Sequence, residues 1–133
     1  MNAEIITVGT ELLLGDILNS NSQFLSRELA AYGVELLHQS TVGDNQERLA
    51  AELAQALSRS DLVLITGGLG PTQDDLTRET VCTALNLRQE LHEESWARIQ
   101  EYFRNTGREL TENNKKQAML PAGCVVFPND HGT

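Results

Sequence analysis

The chain has 133 residues, 10 of them Lys or Arg and 19 Asp or Glu, so its formal net charge is −9. A domain of this size removes roughly two thirds of its unfolded surface from water, enough for a core without disulfides or structural metal, and 40% hydrophobic content agrees. The acidity excludes a general attraction to DNA, RNA or anionic lipid, and Cys82 and Cys124 form neither a CxxC nor a Cys/His cluster, which argues against a zinc site and a disulfide framework.

Glu4 to Val8 is β-branched and apolar and ends at Gly9, predicting a first strand. After a short loop, Phe24, Leu25, Leu29 and Tyr32 recur at helical spacing within residues 20–32, and Gly33 closes that helix. Val34 to Val42 reads as a second strand. Gly43-Asp44 then leads into a helix over 45–57, with Asp44 and Glu47 as a capping-box-like start. Leu62 to Thr66 (LVLIT) is apolar without alternation, as in a parallel strand covered on both faces.

A glycine-rich turn follows, then a helix predicted from Asp75 to Leu85 and a longer one from Glu90 to Asn105 with Trp96, Ile99 and Phe103 as its apolar stripe. Residues 112–120 predict a short helix ended by Pro121, and Cys124 to Phe127 (CVVF) a fourth strand. This alternation predicts an α/β fold, a three-layer α/β/α sandwich around a mostly parallel sheet. The whole of 1–133 is expected to be one domain, truncated at its C-terminal end, because the chain stops in a turn-rich stretch just after that strand. No apolar run approaches the roughly 20 residues of a membrane span, and Met1 to Val8 lacks the features of a signal peptide. A cytoplasmic protein is expected.

In an open parallel sheet the ligand crevice lies beyond the carboxyl ends of the strands. Three loops leave those ends: Gly9-Thr10-Glu11, Gly43-Asp44, and Gly67-Gly68-Leu69-Gly70-Pro71-Thr72-Gln73-Asp74-Asp75. Each combines glycine with a carboxylate. The third joins a strand to a helix N-terminus, whose free N–H groups suit a phosphate, yet Asp74 and Asp75 would repel one. A hard divalent ion such as Mg²⁺ between carboxylate and phosphate resolves the conflict, while the bland alternative is an N-cap and a dipole-compensating surface charge. By spacing alone GGLGPT is neither a Walker loop nor a dinucleotide GxGxxG.

VGTELLLGDILNSNS (8–22), TVGDN (41–45), TGGLGPTQDDLT (66–77) and NKKQAMLP (114–121) together resemble the molybdopterin-binding domain superfamily, and more closely the N-terminal domain of the competence/damage-inducible CinA proteins. Residues 129–133 resemble the start of that family's Gly-Thr-Ala-Pro-Gly loop. The resemblance implies a cytoplasmic homo-oligomer and a metal-dependent pyrophosphatase that cleaves ADP-ribose to AMP and ribose 5-phosphate. It also implies frequent fusion to a C-terminal nicotinamide mononucleotide amidohydrolase domain.

By the same carry-over Asp75 and Asp44 are the catalytic candidates, while the paired carboxylates of the glycine loop make Asp75 and Asp74 the metal candidates. Thr10, Glu11, Gly67, Gly68, Gly70, Thr72, Lys116 and Gln117 are candidates for substrate and phosphate. Lys115 and Lys116 are the only lysines, so a phosphate role and a solvated helix face are both open. Two rivals stand beside the hydrolase: molybdopterin adenylylation, disfavoured by Leu69 and Asp74 where adenylyltransferases carry threonine and a basic residue, and a non-catalytic nucleotide-binding module. His38, His92, Trp96 and Cys82 read as ordinary surface or packing residues.

Overall fold

The computed structural model describes residues 1–131. A parallel sheet is built from β1 (Asn2–Val8), β2 (Glu35–Val42) and β3 (Leu62–Thr66) in the spatial order β2-β1-β3. The central strand is buried from Ala3 to Val8, and its alternate residues serve opposite faces. Ala3 and Ile5 pack with Leu25 and Leu29 of α2 (Ser20–Ala31), whereas Ile6 and Val8 pack with Leu49, Leu53 and Ala56 of α3 (Gln46–Arg59). Helix, sheet and helix are thus the three expected layers.

The helices begin where side chains take up free backbone N–H groups. Asn19 accepts from the Ser22 N–H at the start of α2, and Asn45 accepts from the Arg48 N–H at the start of α3. Asn45, not Asp44, is therefore the cap, and Asp44 is left outside the helix.

Several predicted elements shift, each for a local reason. The loop after β1 contains a short helix, α1 (Thr10–Leu14). The helix after the glycine turn, α4 (Thr77–Ala84), starts two residues later than predicted because the Asp75 carboxylate turns back onto Thr72 and does not cap it. The following helix, α5 (Glu93–Thr106), is delayed by a strand, β4 (Gln89–Leu91), and capped by His92 Nδ1, which accepts from the Ser95 N–H.

Residues 112–120 divide into α6 (Glu112–Lys115), a 3₁₀ turn (Lys116–Ala118) and β5 (Met119–Pro121), which pairs antiparallel with β4. The predicted fourth strand CVVF is not formed: beyond β5 the chain turns at Gly123 (φ +77°), and Val125 and Phe127 lie exposed. Nor is β3 fully covered. It is the edge of the three-stranded sheet, and all five of its residues are half-buried.

One ionic pair sits inside this core. Glu4 of β1 has no solvent exposure, and its carboxylate accepts from Arg59 Nε at 2.9 Å, Arg59 Nη2 at 2.5 Å and Ser60 Oγ at 3.2 Å. Hydrogen bonds from Arg59 pull its pKa below the usual carboxylate value, outweighing the opposing effect of burial.

Candidate active site

The chain leaves β1 outward to β2 and then returns across β1 to β3, so the carboxyl ends of β1 and β3 form a topological switch point, where sheets of this kind bind ligands. A cleft of about 130 Å³ lies there, between Thr7, Glu11, Asn19, Asn21, Thr66 and Gly67. Asn19 Nδ2 donates to Thr7 Oγ1 at 3.1 Å, and Asn21 Nδ2 donates to Thr66 Oγ1 at 2.9 Å. The start of α2 is thereby tied to both strand ends.

Thr10 and Asp44 close the next corner. The Asp44 carboxylate accepts from the Thr10 N–H at 3.2 Å, and the Asp44 N–H donates to Thr10 Oγ1 at 3.1 Å. This reciprocal pair couples the loops after β1 and β2.

The glycine turn is shaped by its own neighbours. At Gly67 (φ +94°) an added Cβ would stand 2.1 Å from the Val8 carbonyl oxygen, and at Gly68 (φ +65°) 2.3 Å from Thr77 Oγ1. Both glycines permit close packing of the turn against β1 and α4, as well as a left-handed backbone. Thr77 fastens it further, donating from Oγ1 to the Gly67 carbonyl at 2.7 Å and from N–H to that of Gly68 at 3.1 Å. Gly67→Ala is expected to cost at least ~1–3 kcal/mol in strain alone, read as a lowered urea midpoint with unchanged m-value.

Asp75 lies at the far end of this turn. Its Oδ2 accepts from the Thr72 N–H at 2.8 Å and from Thr72 Oγ1 at 2.6 Å. Burial pushes its pKa up, but hydrogen bonds from Thr72 and the Gly70 N–H, with the Lys116 charge, bring it below the ordinary aspartate value. It is an ionised carboxylate at neutral pH. Lys116 Nζ donates to the carbonyls of Thr72 at 2.9 Å and Asp75 at 2.5 Å, and stands 3.2 Å from Glu79 Oε1. Its ammonium has three N–H donors, and these three oxygens match them, so its charge supports the turn from behind.

Asp74 is exposed beside Asp75. Among the described residues no three His, Cys, Asp or Glu side chains gather into a metal-binding group. The donors still fit Mg²⁺, which commonly takes one or two carboxylates and completes its shell with water and phosphate oxygens. Asp75 and Asp74 would hold it.

Asp44 follows β2 and Asp75 follows β3, with β1 between those strands. Asp75 stands at the far end of the glycine turn, beyond the end of β3, and the two carboxylates have different partners, Asp44 accepting from the Thr10 N–H and Asp75 from Thr72. Gln117, in the 3₁₀ turn, lines a second cavity on the far side of the glycine turn.

A family model described as "Probable molybdopterin binding domain" matches residues 4–128. The chain belongs to the molybdopterin-binding domain family. Within it, the protein CinA "with unknown function" from Thermoplasma acidophilum has a solved structure that superposes with a TM-score of 0.87 at 33% identity, over 98% of this chain and 76% of that one. A "Putative competence-damage inducible protein" of Clostridium acetobutylicum is 54% identical over 133 residues, all of this chain but 32% of the relative. The chain thus spans about a third of the length of such curated relatives. The molybdopterin biosynthesis enzyme MoaB of Thermus thermophilus, at 20% identity and a TM-score of 0.60 over 90% of this chain, shares the fold.

For this family member the sequence motifs left three neighbours of Asp75 unmarked. Arg78 is buried on α4 and donates from Nη2 to the Gly70 carbonyl at 3.1 Å. Burial lowers its pKa against the opposing charges of Glu79 and Asp75. Glu79 pairs with Lys116, and Thr77 ties down the two glycines. The signal was present in the run Thr77-Arg78-Glu79, where the first turn of a helix presents a cation and an anion directly after a glycine loop. The suggested loop of residues 129–133 falls partly on Gly132 and Thr133, outside the described residues. Among the described residues no helix is long and apolar enough to cross a membrane.

Proposed function

We propose that this chain is a metal-assisted phosphoanhydride hydrolase, cleaving ADP-ribose to AMP and ribose 5-phosphate. One observation carries the reading: the Asp75 carboxylate, held by the Thr72 N–H and hydroxyl in a glycine turn whose Gly67 lines the switch-point crevice. Asp75 and Asp74 would hold a divalent ion, which would supply charge neutralisation for the pyrophosphate and acidify a nearby water. The residues of the chain do the rest. The turn from Gly67 to Gly70 offers backbone N–H groups toward developing negative charge, and Lys116 keeps the Thr72 and Asp75 carbonyls from swinging into the crevice.

Across the sheet, the reciprocal hydrogen bonds of Asp44 and Thr10 join the loops after β2 and β1 beside the crevice, a second polar corner that an extended nucleotide sugar could use and a lone phosphate would not need. Glu11 and Asn21, lining the cleft at the ends of β1 and β3, are placed to orient ribose hydroxyls. In the same reading the protein is a cytoplasmic homo-oligomer, and deamidation of nicotinamide mononucleotide belongs to a separate domain of the longer relatives.

Incubation with ADP-ribose and Mg²⁺ or Mn²⁺ is expected to release equimolar AMP and ribose 5-phosphate by chromatography, and chelation to stop it. Tight ADP-ribose binding without turnover under any divalent ion would leave a binding module instead. Adenylylated molybdopterin formed from ATP, without ADP-ribose cleavage, would transfer the assignment to the adenylyltransferases.

A further inference from the structure

The last turns of α4 bring the two cysteines of the chain together. Glu79 and Cys82 stand one helical turn apart on the same side of α4, and Glu79 Oε1 meets Lys116 Nζ at 3.2 Å. From Lys116 the chain runs along α4 through β5, which packs on that helix. It is fastened again just past the helix end, where the Ala122 N–H donates to the Arg88 carbonyl at 2.8 Å. Leu87, next to Arg88, donates its own N–H to the Cys82 carbonyl, also at 2.8 Å. At Gly123 (φ +77°) the chain reverses, and the Cys124 N–H donates to the Pro121 carbonyl at 3.1 Å. It then passes back toward the start of α4, since Val126 lines the cavity behind the glycine turn together with Arg78. With Ala122 held at Arg88 and Val126 returned to Arg78, Cys124 lies abreast of Cys82.

The two thiols differ in access. Cys82 is only 3% exposed, whereas Cys124 is open to solvent. Burial pushes the Cys82 thiol above its ordinary pKa, and the nearby charges of Glu79 and Cys124 push it the same way. An oxidant in solution therefore reaches Cys124 and is kept from Cys82.

We propose that Cys124 and Cys82 are a peroxide-sensitive pair, Cys124 taking the oxidant and Cys82 resolving it into a reversible disulfide. The Cys124 thiolate attacks one oxygen of hydrogen peroxide and becomes a sulfenic acid, while hydroxide leaves and takes up a proton to give water. The Cys82 sulfur then attacks the Cys124 sulfur, and its proton departs with the sulfenic hydroxyl as a second water. Two thiols are oxidised to one disulfide and one peroxide is reduced. Thiol reductants reverse the bond by exchange, so it is a sensing device and not a structural framework. Closure would fasten the segment that follows Lys116 onto α4. Both elements brace the glycine turn, Arg78 through the Gly70 carbonyl and Lys116 through those of Thr72 and Asp75. The bond would thus lock the support of Asp75 without entering the crevice, and the inference does not depend on the proposed hydrolysis.

Treatment of the reduced protein with equimolar hydrogen peroxide, followed by alkylation in denaturant and mass spectrometry of the digest, tests this. The expected product is a monomer lighter by two hydrogens, with the fragments carrying Cys82 and Cys124 joined, and dithiothreitol should restore both thiols. Cys124→Ser should leave Cys82 reduced under the same treatment, because burial shields it. Cys82→Ala should stop at the Cys124 sulfenic acid, trapped by dimedone. Cys124→Ser alters an exposed residue, so it tests the pair even if Cys82→Ala fails to fold. A parent without joined fragments, one that gives chiefly disulfide-linked dimers, or a Cys82 oxidised as readily in Cys124→Ser as in the parent would overturn the inference.

Discussion

Asp75→Asn is expected to lower kcat for AMP release from ADP-ribose by at least about 100-fold while leaving the protein folded. The carboxylate is the ionised group at the glycine turn, and replacing it with an amide removes the negative charge that a divalent ion and the reacting phosphates would both sense. The amide oxygen can still accept from Thr72, so the cost in stability should be no more than about 1–2 kcal/mol, the loss of a charge-assisted component. The pH profile separates this role from mere support.

Hydrogen bonds from Thr72 and Gly70 hold the Asp75 pKa below the ordinary aspartate value against burial. The group therefore stays ionised until the pH falls through that depressed value, and the parent should lose activity on the acid side only below the usual aspartate range. Thr72→Val removes the Oγ1–H donor at 2.6 Å and shifts the acid limb upward, with kcat at neutral pH little changed. A profile of Thr72→Val superimposable on the parent's would show that Asp75 does not set the limb.

The sheet was legible because its signal is local. LVLIT and EIITV are short β-branched runs next to glycine, and the helices between them carry apolar residues at 3.6 spacing that have one face to bury. What failed was the segment 119–127, where two apolar triplets, MLP and CVV, compete for strand formation. Only the first meets a partner, pairing antiparallel with β4 from some 30 positions upstream, and Gly123 turns the second away. Pairing is decided by non-local contact, and no periodicity reports it. The site divides in the same way. The aspartates and glycines sit in loops whose place follows from the strand order, so their neighbourhood was readable. The contacts that brace the turn were not: Lys116 comes from 41 positions away to meet the Asp75 carbonyl, Arg78 meets that of Gly70, and a carbonyl leaves no mark in a sequence.

Arg59→Ala should be the most damaging substitution away from the crevice, with Tm falling by on the order of 10 °C, the size expected when one partner of a buried pair is removed. The asymmetry between the partners decides this. Glu4 has no solvent exposure, whereas the Arg59 side chain is 32% exposed. Removing the arginine strands a carboxylate on the central strand with Ser60 Oγ as its remaining donor, while Glu4→Gln leaves a guanidinium that can turn toward water. The glutamine variant should therefore lose clearly less.

The pH dependence should change sign as well. In the parent, the Glu4 pKa is depressed in the fold, so its stabilisation is complete above the unfolded carboxylate value and is lost as pH falls through the lower folded one. In Arg59→Ala burial prevails and the folded pKa rises above the unfolded one. The stabilisation then belongs to the protonated form, is present below the unfolded value, and disappears as pH rises through the folded one. The stability gap between parent and Arg59→Ala should thus narrow on acidification, and the double variant with Glu4→Gln should regain part of the loss at neutral pH. Urea melts of the four proteins at several pH values would read both effects, and an Arg59→Ala deficit smaller than that of Glu4→Gln would show that the pair is not what anchors α3 to β1.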